Sequence, residues 1–560
     1  MSQNRSAGDG GLTGTHDGAS RVLNLALQLT SWPSETGSEG EALFAEKLFS
    51  LLSQIPYFRD HPENLKLVAS HGSPLTHSVL ALVRGSGRST LALTGHFDTV
   101  STENFHKWKS LARDSLKLRD VMIEHLRAQP ERTPQESQTL NDLLSGTFLP
   151  GRGMLDMKSG VAVAIDCIER FAANPPPEGN LLLVLTPDEE RESRGMRSLR
   201  NALPALTRHF QIDVEGAVNL DVTSDYGDGN KGRAVYAGTI GKLLPFAMVI
   251  GCPSHASYPF EGVSAQLIAS RIIARIEANP NLSDRDDIDL SPPPICLEAK
   301  DLRDGYEVTT PERVWIAFNW LYHSLTAKDL FERFSQEVGQ AVEDAIDEMA
   351  SRANHYARLT GRQSALGSPR ARIIDFSTLK KMAAERQSDN FDRRLADKQE
   401  KVAKIDNPLL ASRLLTDWMV GEAKVEGPSV VIGFSGLHYP PSRLKRGEKT
   451  DQRLIDAIDG ARGQFADSVD EAVSWQPFFQ GISDMSFLGV AADTGTVVAD
   501  NTPIGRLIDQ PPEDALAFPV VNLGPWGREF HQKFERVYAP YAFETLPRLV
   551  EEIARRFLSS

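Results

Sequence analysis

Apolar residues recur at helical spacing from Arg21 to Leu52: Val22, Leu23, Leu25, Ala26 and Leu29, then Leu43, Phe44, Leu48 and Leu51. The interruption Trp32-Pro33-Ser34-Glu35-Thr36-Gly37 predicts two helices joined by a loop. The pattern then changes period. Ser78–Val83 and Thr90–Thr94 are β-rich and flank Arg84-Gly85-Ser86-Gly87-Arg88, which predicts a hairpin whose second strand runs into Gly95-His96-Phe97-Asp98-Thr99. Residues 101–150 are charged and rich in helix formers, with Pro130 and Pro134 between two helical runs, and predict a surface excursion without chemistry of its own.

Next comes Gly151-Arg152-Gly153-Met154-Leu155-Asp156-Met157-Lys158-Ser159-Gly160, a glycine-flanked loop carrying one carboxylate, followed by the apolar run Val161, Ala162, Ala164, Ile165, Ile168 and Phe171 of a buried helix. Asn180–Thr186 is a continuous apolar strand of the doubly covered kind and ends at Pro187-Asp188-Glu189-Glu190. Ala217–Leu220 is another short strand and ends at Asp221. An acid or histidine at a strand end, followed by a helix, thus occurs four times. In open α/β sheets the ligand crevice lies at the carboxyl ends of the strands, so His96, Asp156, Glu189, Glu190 and Asp221 are expected to converge.

Each of these signals has an ordinary reading when taken alone. His96 and Asp98, two apart at a strand end, point to the same side, so the carboxylate can orient the imidazole for a metal; a structural histidine would look the same. Three acids after a buried strand call for a cation, or else form an exposed turn at a helix N-terminus.

From Gly241 the character changes. Leu243–Ile250, Val308–Phe318 and Arg372–Phe376 read as strands, Ala265–Ile276 and Leu325–Ser351 as helices, and the charged stretch Lys380–Lys404 as a solvated helix and linker. The expected organisation is a flexible tail over 1–19, a catalytic domain in two parts over 20–240 and 406–560, and a smaller inserted α/β lid over 241–405. The second part brings the strand Pro428–Phe434, the loop residues His438 and Asp484, and Gly524-Pro525-Trp526-Gly527 before His531. Glu535 follows at a spacing that in a helix places it on the face of His531. Arg313 and Asn319 are candidate contacts for a substrate carboxylate.

Composition narrows the function classes. The chain has 560 residues and a formal charge of -14, which argues against nucleic-acid and anionic-membrane binding. Cys167, Cys252 and Cys296 form no CxxC pair, so a disulfide framework and a thiolate zinc site are not indicated and a cytoplasmic setting fits. No apolar run approaches a membrane span. Arg84–Thr90 lacks the lysine of a phosphate-binding loop, and no convincing GxSxG elbow of a serine hydrolase occurs.

Taken in order, three motifs carry a resemblance: Gly95-His96-Phe97-Asp98-Thr99-Val100, Gly151-Arg152-Gly153 with Asp156-Met157-Lys158-Ser159-Gly160, and Asp188-Glu189-Glu190 with Gly195. Ser254-His255-Ala256 with Pro259, Gly262 and Ala265, and Gly524-Pro525-Trp526-Gly527 with His531, extend it over nearly the whole chain. The sequence resembles the di-zinc metallopeptidase family that includes aminoacylase, carboxypeptidase G, peptidase T and succinyl-diaminopimelate desuccinylase. Within that family it is most similar to the arginine-utilisation branch called RocB.

The resemblance implies an α/β fold, with a mixed central sheet covered by helices on both faces and an inserted lid domain. It implies two divalent metal ions, zinc or else cobalt or manganese, with His96 and Asp221 on one, Glu190 and His531 on the other, and Asp156 bridging both. Glu189 would be the general base acting on a water that bridges the metals, Asp98 the orienter of His96, and His255 a lid histidine that steadies the oxyanion. The implied reaction is hydrolysis of an amide bond in a peptide or N-acylated amino acid, by a protein that can dimerise through its lid. The alternative is a non-catalytic metal-binding relative that acts as a sensor or binding protein in arginine utilisation.

Overall fold

The computed structural model describes residues 17–224, 233–364, 366–367, 369–387, 390–465, 472–489 and 496–559. Most of the expected N-terminal tail, residues 1–16, lies outside the described residues, and the first helix, Asp17–Ser31, starts inside the stretch assigned to it. The chain divides into two units, one comprising the chain up to Thr239, Ser442–Ala492 and Pro511–Ser560, the other Ile240–Pro441 and Asp493–Gln510.

The strands of the first unit up to Tyr236 are β1 (Leu65–Ala69), β2 (His77–Arg84), β3 (Ser86–His96), β4 (Phe148–Pro150), β5 (Glu178–Thr186), β6 (Asp213–Asn219), β7 (Thr223–Ser224) and β8 (Ala234–Tyr236). The central sheet runs β1-β2-β5-β3-β6, then Val520–Asn522, β8 and Ser474–Gln476. It is mixed: β3 is parallel to β5 and β6, and β2 is antiparallel to β5. The expected hairpin of β2 and β3 is corrected here. β5 lies between them, and Gly85 at their junction donates to the carbonyl of Gly179 (2.9 Å). Two strands that are consecutive in sequence share a neighbour because the continuous apolar run of β5, buried from Gly179 to Thr186, needs a strand on each side and cover on both faces.

Both faces of the sheet are covered. Leu181, Leu183 and Leu185 of β5 join a core that includes helix Ser159–Ala173 and helix Leu546–Leu558, while Leu182 and Val184, which alternate to the other face, are as deeply buried. A second, four-stranded sheet runs β4, Arg536–Tyr538, Trp526–Arg528 and β7, and its first three strands lie against the Asp156 segment Met154–Lys158. Two glycines permit the close approach at Asp221. A Cβ on Gly160 would fall 2.0 Å from the Leu220 carbonyl oxygen, and one on Gly524 would fall 1.9 Å from that of Asp221.

The second unit has its own sheet, in the order Gly241–Leu243, Arg313–Tyr322, Pro245–Ile250, Ser429–Phe434 and Arg372–Asp375, with Ile295–Asp301 also paired to Arg313–Tyr322. Helices Ala265–Ile276 and Ala327–Thr360 bury their apolar faces in its core. The boundary expected at 405/406 moves. Strand Ser429–Phe434, assigned from sequence to the catalytic domain, pairs residue for residue with Pro245–Ile250 and so belongs to this unit. The stretch expected to be a solvated linker is also packed: helices Phe376–Arg386 and Phe391–Ala403 bury Leu379, Ala383, Leu395 and Val402 and lie against helix Pro408–Ala423.

Candidate metal centre

The carboxyl ends of β3, β5 and β6, the loop after β4 and the loop between Trp526–Arg528 and Arg536–Tyr538 deliver their polar residues to one place in the first unit. Asp156 lies at the middle. Its Oδ1 is 3.1 Å from His96 Nε2 and its Oδ2 is 3.0 Å from His531 Nε2. Asp221 Oδ1 lies 3.7 Å from the same nitrogen of His96, and Glu190 Oε1 lies 3.0 Å from that of His531. Glu189 Oε2 is 4.0 Å from His96 Nε2. The structure thus brings together all five residues expected as ligands, along with Glu189. His96, Asp156 and Glu190 each offer a ligand atom, and these atoms lie within 4.8 Å of one another.

The charge balance is lopsided. Four acids, Asp156, Glu189, Glu190 and Asp221, face two imidazoles. Burial alone would lower the pKa of His96, but the carboxylates of Asp156, Asp221 and Asp98 carry it well above the usual histidine value. Burial likewise opposes the charge on His531, and its bonds to Asp156 and Glu190 nevertheless raise it to about 11. Burial would raise Asp156, yet the two histidines hold it well below the usual carboxylate range. Glu189, Glu190 and Asp221 are pushed up by burial, and the neighbouring carboxylates add to the shift. With four carboxylates against two imidazoles, the residues of this cluster favour added positive charge. A shell of imidazole nitrogens and carboxylate oxygens with that deficit suits hard or borderline divalent cations, zinc among them.

Asp98 takes a role that sequence spacing did not reveal. It is fully buried, and His96 Nδ1 lies closer to its backbone carbonyl (3.1 Å) than to its carboxylate Oδ1 (3.5 Å). The carboxylate instead accepts from the backbone N–H of Glu189 (3.1 Å) and of Glu190 (3.2 Å) and from the Thr36 hydroxyl (2.8 Å). It therefore holds the turn that carries the two glutamates. Of the three successive acids, Asp188 leaves the cluster. It adopts a left-handed backbone, φ 66°, and is paired by Arg194 through Nε (2.9 Å) and Nη2 (2.8 Å).

Glu535 is also corrected. Residues 529–535 form a loop between two strands, not a helix, so the i,i+4 argument fails. Glu535 is fully buried, paired with Arg152, and accepts from the Gly153 N–H (2.8 Å), which fastens the Asp156 loop. The Gly-Arg-Gly motif contained this arginine, but its partner 383 positions later has no local signal. Asp484 is buried in the same unit, accepts from Thr186 Oγ1 (2.9 Å) and is pushed up to about 7 by burial.

The remaining candidates lie in the second unit. His255 is exposed there, with its Nδ1 accepting from the Ser257 N–H (3.1 Å). His438 is buried and bonded to the Tyr322 hydroxyl, and Arg313 is paired with Asp417 (2.6 Å). Asn319 lies on strand Arg313–Tyr322, opposite Ile295.

A model of peptidase family M20/M25/M40 matches residues 92–505, a span that holds His96, Asp156, Glu189, Glu190 and Asp221. The chain is 30% identical over 538 residues to the Bacillus subtilis (strain 168) protein YqjN, covering 94% of this chain and 95% of that protein. It is 28% identical over 562 residues to protein RocB of the same organism, covering 97% and 96%. Among solved structures, the aminopeptidase PepT from Bacillus cereus ATCC 10987 is similar, with a TM-score of 0.51 and 14% identity over 96% of this chain and 98% of that one. At that identity the likeness speaks for the fold.

Proposed function

Since the chain belongs to peptidase family M20/M25/M40, we propose that it is a two-metal hydrolase cleaving the amide bond of a peptide or N-acylated amino acid. The observation that carries this reading is the placement of Asp156, whose two oxygens each face a different imidazole, with Asp221 beside one and Glu190 beside the other. That arrangement supports His96 and Asp221 as ligands of one ion, Glu190 and His531 as ligands of the other, and Asp156 as the bridge.

Two divalent ions held by these residues, zinc or else cobalt or manganese, would supply Lewis acidity toward the scissile carbonyl and toward the attacking water. Glu189, whose Oε2 lies 4.0 Å from His96 Nε2, would accept the proton of the attacking water and hand it to the leaving amine. Asp98 keeps Glu189 and Glu190 in register through their backbone amides. His255 is assigned to the oxyanion and the second unit to homodimer formation, both on the strength of the resemblance in sequence. A cytoplasmic place in amino-acid utilisation, arginine included, goes with the same reading. Among the described residues no helix is long and apolar enough to cross a membrane.

A panel of dipeptides, tripeptides and N-acyl amino acids, assayed with chelated protein and with added zinc, cobalt or manganese, tests the proposal. Metal-dependent release of a free amino acid from at least one member is expected. Two tightly bound ions with no turnover across the panel would favour the non-catalytic alternative.

A further inference from the structure

Residues 101–150 contribute no ligand to the centre, yet they hold the loop that delivers one. The loop 529–535 is set against its own preferences: Glu529 and His531 both adopt left-handed backbone, with φ of 59° and 63°. Non-glycine residues occupy that region only when their surroundings fix it. His531 is also the least buried of the five expected ligands, its side chain 40% exposed. Packing around the ring therefore contributes less to its aim than the backbone beneath it.

That backbone is anchored from residues 101–150, an insertion between the end of β3 and the Asp156 loop. Asn104 Nδ2 donates to the His531 carbonyl (2.7 Å), and Asn104 Oδ1 accepts from Arg152 Nη2 (2.8 Å), which reaches the same carbonyl at 3.4 Å. At the loop's ends Asp142 accepts from Arg536 through Nε (2.9 Å) and Nη2 (2.7 Å), and Arg536 Nη1 donates to Glu529 Oε1 (2.9 Å) and to the Phe534 carbonyl (2.9 Å). Gln135 Nε2 donates to the other oxygen of Glu529. The Trp108 ring lies 6.3 Å from that of Phe534. Arg536 is fully buried, so its partners on the insertion and in the loop are held to one geometry.

We infer that residues 101–150 are a positioning element for His531, acting on its carbonyl through Asn104 and on the loop's ends through Asp142 and Arg536. Resting on the two-metal reading, this makes the insertion a determinant of affinity at the one metal position that uses His531 and Glu190. The position that uses His96 and Asp221 shares only the Asp156 bridge with it.

The test compares wild type with Asn104→Ala and Asn104→Asp. The second variant keeps an acceptor for Arg152 and loses the donor to His531. In chelated protein, amide hydrogen exchange across 529–535 is expected to quicken roughly tenfold in both variants, and zinc titration by calorimetry to show one binding step weakened roughly 10- to 100-fold with the other unchanged. Unaltered loop exchange would overturn the inference, as would an equal loss at both steps, which marks a merely structural role. If the Asn104 variants fail to fold, Asp142→Ala, which removes the pairs with Arg536 and Arg528 and leaves Asn104 in place, must give the same one-step loss. If wild type takes up fewer than two ions, the two-metal reading falls, while the exchange comparison still decides whether Asn104 holds the loop.

Discussion

Replacing Asp98 by asparagine separates two accounts of that residue. Its Oδ1 accepts from Glu189 N–H and lies 3.5 Å from His96 Nδ1, while its Oδ2 accepts from Glu190 N–H and the Thr36 hydroxyl. A carboxylate offers acceptors on both oxygens, whereas an amide offers one oxygen and one NH2. In either orientation of the Asp98→Asn side chain, one of the two backbone N–H groups faces a donor. The Thr36 hydroxyl can rotate to accept, but a peptide N–H cannot. The site is fully buried, so the stranded amide costs about 1–3 kcal/mol. That range corresponds to roughly 5- to 150-fold faster amide exchange at Glu189 or Glu190 in chelated protein, where exchange proceeds through local opening. Metal affinity should fall roughly 10- to 100-fold as the glutamate turn loosens. If Asp98 worked only by orienting His96, an amide oxygen facing Nδ1 would replace it and the variant would be nearly neutral. Exchange across 187–192 and metal uptake both at wild-type levels would refute the role drawn from the structure.

Glu189→Gln is expected to keep both ions by elemental analysis and to lose turnover roughly a hundred- to ten-thousandfold; comparable activity in that variant would remove Glu189 as the base. Asp156→Ala should lose both ions together, since each oxygen serves a different half of the centre, and retention of two would place the bridge elsewhere. Glu41, whose carboxyl is raised to about 8 by burial and then by the charge of Asp98, binds its proton more tightly folded than unfolded. Its contribution to stability is therefore present at acid pH and lost as pH rises toward 8. The melting temperature of Glu41→Gln, measured against wild type from pH 5 to 9, should gain on it with increasing pH, and a constant difference would contradict this (pH limits roughly bracket the titration).

The parts of the centre that were legible in the sequence are those encoded locally. A histidine, an acid pair or a single aspartate stands directly after an apolar strand, and strands of an α/β sheet present their carboxyl ends on one side, so His96, Glu189, Glu190 and Asp221 could be grouped before any contact was known. Helix Ala265–Ile276 has the bounds its periodicity predicts, because one apolar stripe on one core suffices to set it. The role of Asp98 was only half visible. Its spacing from His96 is local, but the amides it binds lie 91 and 92 positions away.

Sequence alone determined which residues are candidates for the chemistry, and in what order, because the side chains and the strand or helix beneath each are fixed by a few neighbours. Tertiary structure decided who stands beside whom. β5 separates β2 from β3, strand Ser429–Phe434 joins the second unit, Asp188 turns to Arg194, and Glu535 reaches Arg152 from a loop. Asn104 meets the carbonyl of His531, 427 positions on. Apart from Asp188 and Arg194, which stand six residues apart, each of these choices is a pairing across many residues, settled by burial and by the demand that buried polar groups find partners, and no local window contains both halves of it.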